Sequence, residues 1–481
     1  MNDVAHSDIE RLRDGIDAAW EEARKFGLDP FPTHFELVPA SIMYEFASYS
    51  LPGRFSHWTH GKAFHRQKMQ YDLGLSKIYE MVVNTNPSYA FLMDMNDLLQ
   101  NTFVAAHVFG HTDFFKNNAY FQHTSRRMID KASVHAERIA KYEFDHGKDE
   151  VEHLLDAVLS IQEHIDYNLL LSTNDPSKKD EVAKPLSSDF DDLWGMDDKV
   201  RKAEEERENR PGKPPKFPEK PEKDLLLFLL RHAPNLEPWQ RDIIEIVRIE
   251  MLYFIPQMQT KIMNEGWASI WHSRIMRQLG DRAVISDSET VEFAQLHSSV
   301  LTPSRTSLNP YYIGFKILED IERRWDNPTR EEQDRLGRKP GQGRQKIFEV
   351  RELDNDVSFL RNYLTEDLIK DLDLYLYKKE GDEWVVAEKN WQKVRDTIVG
   401  NLTNFGHPYL VVDNGDYRGN RELYLTHLFE GQELDLNYAE KTLQHVYTLW
   451  GRPVHLETTY EGKRILLTYD GERNSKSTLE K

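Results

Sequence analysis

Along residues 8–25 apolar positions recur at helical spacing between charged ones and stop near Gly27, which predicts an exposed amphipathic helix. From residue 35 to about 171 the same period dominates, broken at Pro52-Gly53 and at Asn84-Thr85-Asn86-Pro87. This predicts an all-α region packed around buried aromatics. Helical spacing returns over residues 225–231 and 239–253, and Pro256 suits the first turn of a further helix that runs to about Leu279 and ends at Gly280. Between these stretches, at about 172–224, Pro, Lys and Glu dominate, as in Arg210-Pro211-Gly212-Lys213-Pro214-Pro215. Such a stretch buries too little apolar surface to offset its ordering entropy, so it reads as a charged, Pro-rich insertion.

A second shift follows Trp325, through Asn327-Pro328 and Lys339-Pro340-Gly341. Beyond it the period becomes two, predicting strands at 373–378, 384–387, 409–413, 422–426, 454–459 and 464–469. Turns at Glu380-Gly381-Asp382, Asn414-Gly415-Asp416 and Glu461-Gly462 pair them as hairpins, with helices near 390–402 and 437–450. The expected fold class is mainly α. A large helical domain at 1–325, interrupted by the insertion, precedes a small α+β domain at 326–481 with antiparallel hairpins.

Composition narrows the chemistry. The chain holds 81 acidic against 62 basic residues, a formal charge of −19, which opposes attraction to phosphate backbones, so nucleic acid is not an expected partner. No stretch approaches the ~20 apolar residues a spanning helix needs, and residues 1–8 lack a basic cap and apolar run. No membrane insertion and a cytoplasmic location are therefore expected. The chain has no cysteine, so any metal must be held by His, Asp or Glu.

Two segments carry such ligands. In His107-Val108-Phe109-Gly110-His111 the imidazoles lie about 40° apart around a helix, one turn along its axis. In Asn264-Glu265-Gly266-Trp267-Ala268, followed by Trp271-His272, Glu265 and His272 share a helix face. Two imidazoles and a carboxylate form a common catalytic zinc set that leaves one position for water. The expected ligands of a mononuclear divalent metal, zinc before others, are His107, His111 and Glu265. His272 would be an orienting residue, proton shuttle or catalytic base, and His297 either an extra ligand, a shuttle or a hydrogen-bonded core histidine.

Other groups fit plainer roles. His57, His60 and His65 suit a helix start and surface better than a second pocket wall, and Asp113 points about 200° away from His111. Glu143-x-x-His146 and Glu150-x-x-His153 echo a di-iron element but lie too close in sequence to sit on separate helices. The Asp/Asn/Gly-rich segment 413–421 suits a hairpin turn as well as a cation or phosphate loop.

Asn264 to Ala268 resembles the Asn-Glu-Gly-Phe-Ala segment of gluzincin aminopeptidases, whose Glu is a zinc ligand, and His107 to His111 resembles the His-Glu-Phe-Gly-His helix of thimet-type peptidases. The Glu that serves as general base there is Val108 here. A wider resemblance rests on Tyr79 to Pro87, His107 to Asn118, Met263 to His272, Asn309-Pro310-Tyr311, Gly314-Phe315, Gly419 to Leu423 and Leu449-Trp450-Gly451. By these the chain resembles the stage V sporulation protein R (SpoVR) family. That resemblance implies a link to sporulation, through spore cortex formation, or to stress physiology. It also implies a PrkA-type serine protein kinase as partner. Two expectations follow: a metal-dependent hydrolase of peptidase or amidase type lacking its usual base, or a non-catalytic regulatory scaffold whose metal is structural.

Overall fold

The computed structural model describes residues 2–72, 80–171, 217–303, 308–381 and 383–479. Most of the insertion expected at 172–224, and Asp382 of one expected turn, lie outside them. The chain divides into two compact units, Met1–Glu152 with Ile249–His407, and His153–Arg248 with Pro408–Lys481.

The first unit contains α1 (Asn2–Lys25), β1 (Thr33–Val38), β2 (Glu80–Val83), β3 (Ser88–Met93), α2 (Leu98–Asn117), α3 (Lys261–Asp281), α4 (Asp287–Val300), α5 (Pro310–Asp326) and α6 (Gly343–Leu353). The sheet order is β1-β3-β2, with β1 parallel and β2 antiparallel to β3. This sheet corrects the all-α expectation for 35–171. Its strands are four to six residues long, too short for periodicity to separate strand from buried helix. Pro256 is also placed differently: it lies inside the helix Pro238–Gln259, and the break falls at Thr260.

Helix α2 begins where Asp97 accepts a hydrogen bond from Gln100 N at 2.7 Å, and its residues from Thr102 to Phe115 are all buried. Helix α3 has no local side-chain cap. Its first amides, Ile262 N and Met263 N, instead donate to the Asp356 carboxylate at 2.9 Å each, a cap delivered from far along the chain. Helix α5 starts with Pro310 in its first turn and with Asn309 Oδ1 accepting from Tyr311 N and Tyr312 N. These starts set which way each helix presents its side chains.

The three helices meet through residues without bulk. A Cβ on Gly110 would lie 2.5 Å from Ala268 Cα, and one on Gly266 would lie 2.5 Å from Gly314 Cα. Backbones therefore touch where side chains would normally separate them. Around this contact Phe109, Trp267, Trp271, Ile317 and Ile321 join one core with Ile347 and Val350 of α6, then Phe359, Leu360, Val394 and Ile398. Those later residues are why the first unit reaches His407 and not the 325 boundary read from composition. Asp113 ties the same elements together: it accepts from Trp267 Nε1 at 2.8 Å and from Asp29 N at 2.7 Å, with Arg351 Nε 3.7 Å away.

In the second unit β4 (Leu410–Tyr417), β5 (Glu422–His427), β6 (Val454–Tyr460), β7 (Lys463–Tyr469) and β8 (Asn474–Thr478) form one sheet in the order β8-β7-β6-β5-β4. The expected hairpins are antiparallel, but β5 and β6 pair in parallel. The helix α7 (Leu436–Trp450) supplies the crossover that a parallel pair requires and buries Leu443, Val446, Leu449 and Trp450. The hairpin of Leu376–Glu380 with Glu383–Glu388 belongs to the first unit.

Two outcomes are expected. Gly266→Ala should lower stability by about 1–3 kcal/mol or more through overpacking, whereas Gly61→Ala, in a helix with nothing within 4 Å of the added methyl, should raise it by roughly 0.5–1 kcal/mol; denaturant midpoints check both. His60 is buried against Tyr49, and burial first, then the charges of Arg54 and His57, push its pKa down to about 4. The unfolded chain, with an ordinary His pKa near 6.5, binds the proton more readily, so stability falls as pH drops from about 6.5 towards 4. His60→Gln should flatten that slope in thermal melts taken across this window.

Candidate metal centre

Because α2 is buried along one side of α3, the histidines one turn apart on α2 face Glu265 on α3. His107 Nε2 and His111 Nε2 each lie 3.5 Å from Glu265 Oε2. From the sheet, Glu80 at the start of β2 brings its Oε1 within 3.9 Å of His107 Nε2. Ligand atoms of Glu80, His107 and His111 all fall within 4.8 Å of one another, the sole such grouping among the described residues.

The 3.5 Å separations are long for hydrogen bonds, and His107 Nε2 and Glu265 Oε2 are buried atoms with no hydrogen-bond partner. Two donors on one tetrahedral ion, each about 2.0–2.2 Å from it, stand roughly 3.3–3.6 Å apart. The residues present therefore fit a divalent cation. Each imidazole is oriented from behind. Asn264 Oδ1 sits 2.9 Å from His111 Nδ1, and since an amide oxygen only accepts, that nitrogen carries the proton and Nε2 keeps its lone pair. His107 Nδ1 lies 2.8 Å from His272 Nδ1.

Electrostatics suit the same ligand forms. Burial lowers the pKa of His111, and it holds that of His272 well below the usual value, so His272 is neutral. Burial would raise Glu265, but the contact with His107 and the charges of His111 and His107 outweigh it and lower the net pKa. Glu80 goes the other way, pushed up to about 7 by burial with the Glu265 charge adding to it. Tyr311, at the first turn of α5, stacks on His107 with ring centroids 5.9 Å apart and lies within electrostatic reach of Glu265. The Glu265 charge, then burial, lift its pKa well above the usual range, so it stays a neutral phenol.

His107, His111 and Glu265 are thus together, with His272 directly behind His107. His297 is not beside the three: its Nδ1 lies 2.8 Å from His272 Nε2, on the far side of that ring. Asp113 points into the core, as its helical angle required. His57 Nδ1 contacts Thr59 Oγ1 at 2.8 Å at a helix start, and His65 is exposed. Contrary to expectation the two Glu-x-x-His elements do lie on separate helices, Glu143 and His146 on one and Glu150 and His153 on the next, with the chain breaking at Gly147; His146, Glu150 and His153 are exposed. In the 413–421 segment the Asn414 and Asp416 side chains accept from backbone amides of the turn itself.

Sequence reading missed Glu80, Tyr311 and Asn264. Glu80 carried a signal, a lone acid opening an apolar strand, but its nearness to His107 depends on sheet pairing. Glu80, Asn264 and Tyr311 all sat inside recognised motifs without an assigned role.

No helix among the described residues is long and apolar enough to cross a membrane. No solved structure matches the chain. A protein of Escherichia coli (strain K12), named "Uncharacterized protein YcgB", is 29% identical over 502 aligned positions that cover 97% of each chain. Residues 6–407 match the model of SpoVR like protein, and 408–461 match the SpoVR-like C-terminal domain; the boundary at 407/408 is shared with the compact units, whereas His153–Arg248 falls in the first match and the second unit. With motifs and full-length similarity in agreement, the chain belongs to the SpoVR family.

Proposed function

We propose that the first unit holds one divalent metal, zinc before others, on His107, His111 and Glu265, with Glu80 facing the remaining position. The unpartnered pair His107 Nε2 and Glu265 Oε2, 3.5 Å apart in a buried site, carries this reading. When bound, such a metal supplies Lewis acidity for attack of water on an amide or related bond. The chain's own groups divide the remaining work. Glu80, with Oε1 3.9 Å from His107 Nε2, is the carboxylate available to accept a proton from water in place of the Glu that Val108 replaces. Tyr311, a neutral phenol stacked on His107 and near Glu265, closes the side of the site that α5 faces. Asn264 and His272 fix the two imidazoles.

A second reading keeps the metal but not the reaction. Glu80 is close enough to be a fourth ligand, and a closed set of four would make the centre structural and the protein a regulatory scaffold. The biological setting we propose is cytoplasmic, in spore cortex formation or stress physiology, beside a PrkA-type serine protein kinase; family membership alone supports it.

Metal analysis of protein purified without an affinity tag tests the centre. One equivalent is expected in the wild type, with loss in His111→Ala and in Glu265→Gln and retention in Asp113→Asn, which weakens the core but not the ligand set. Equal, near-zero metal in all four proteins would sink the reading. Glu80→Gln separates the two versions: metal retained while amide hydrolysis across a peptide and amide library falls by about 10²-fold or more supports a base, and a 10- to 100-fold loss of metal affinity supports a fourth ligand.

A further inference from the structure

Histidines that bind metals usually donate their second N–H to a carboxylate or a backbone carbonyl. His107 does neither. Its Nδ1 lies 2.8 Å from His272 Nδ1, and His272 Nε2 lies 2.8 Å from His297 Nδ1. His272 is wholly buried, packed edge-on against Phe103 and near Phe293, and both of its nitrogens are taken up by imidazoles. His297 on α4 is half-buried and forms the outer end of the row.

Each contact between two imidazole nitrogens holds a single proton, because one nitrogen must donate and the other accept. A neutral row of three rings therefore has two arrangements. In one, His107 Nδ1–H donates to His272 Nδ1, His272 Nε2–H donates to His297 Nδ1, and His297 carries its proton on Nε2. His107 Nε2 then presents a lone pair. In the other every proton is on the opposite side: His297 Nδ1–H donates to His272 Nε2, His272 Nδ1–H donates to His107 Nδ1, and His107 Nε2–H points at Glu265. Only the first can bind a cation, and a carboxylate 3.5 Å from His107 Nε2 favours the second when none is bound.

We infer that His107, His272 and His297 form a tautomer relay, in which His272 is the positioning residue that commits His107 Nε2 to the metal and reports its occupancy at His297. The inference rests on the metal reading above and extends it. A carboxylate behind His107 would fix its proton permanently. An imidazole, able to accept on one nitrogen and donate from the other, passes the choice outward by two rings. His297 Nε2 then changes from acceptor to donor when the centre fills.

The test is nitrogen NMR of protein labelled at histidine, with His297 assigned by its loss in His297→Gln, before and after addition of zinc ion. Zinc should move the proton of His297 from Nδ1 to Nε2 in the wild type. In His272→Phe, zinc should bind 10- to 100-fold more weakly and leave the His297 tautomer unchanged, while His272→Asn, which restores an acceptor for His107, should recover most of the affinity. Wild type that binds zinc with no change at His297, or His272→Phe that binds as tightly as wild type, overturns the relay while leaving the centre intact. Wild type that takes up no zinc overturns the centre and the relay together. Should His272→Phe not fold, the wild-type spectra alone decide.

Discussion

Three helices in the first unit approach until their backbones touch, at Gly110 against Ala268 and at Gly266 against Gly314. Interaxial distances in helix packing depend on the side chains at the contact, and here those side chains have been reduced to hydrogen or methyl. The consequence reaches the centre directly. Gly110 lies between His107 and His111, Gly266 follows Glu265, and Gly314 comes three residues after Tyr311. A bulkier contact would move the two imidazoles, the carboxylate and the phenol apart together. The glycines in each motif thus serve distance, not conformational freedom.

Close approach has an electrostatic cost. It brings two carboxylates and three imidazoles into one region where Phe103 packs on His272, Tyr311 on His107 and Phe115 on His111. Burying charge without a partner is expensive, and the structure meets this in graded fashion. Burial lowers the pKa of His111, the neighbouring histidines lower that of Glu265 against burial, and burial raises that of Glu80 to about 7. Two facing atoms remain unsatisfied. Other buried polar atoms also lack a hydrogen-bond partner, Ser269 Oγ and Trp271 Nε1 among them; what sets these two apart is that both can ligate and stand 3.5 Å apart, the separation a shared cation would give.

The caps show how distant parts of the chain support this arrangement. Asp356 holds the first amides of α3, while Asn118, just past the end of α2, donates to Arg351 O and Asp354 O. Residues beyond 325 therefore anchor both ligand helices at their ends. This accounts for the first unit continuing to His407 although the periodicity of the chain changes earlier.

Much was legible in the sequence. Four-residue and seven-residue spacings placed His107 with His111 and Glu265 with His272, since helix geometry follows from local periodicity alone. The strands at 410–427 and 454–469 and the helix between them were equally local. What the sequence could not supply were relations across the chain. Short strands around Glu80 share their apolar pattern with buried helices, so the sheet that delivers this carboxylate was invisible. His297 read as a possible ligand because residue type and proximity were known but direction was not. By itself the sequence determined the family, most of the helices, the C-terminal strands and the pairing of candidate residues on each helix, because those depend on neighbours within a few turns. Tertiary structure alone decided that Glu80 joins them, that His272 and His297 stand in a row behind His107, and that glycines set the spacing, because each depends on which backbones come into contact.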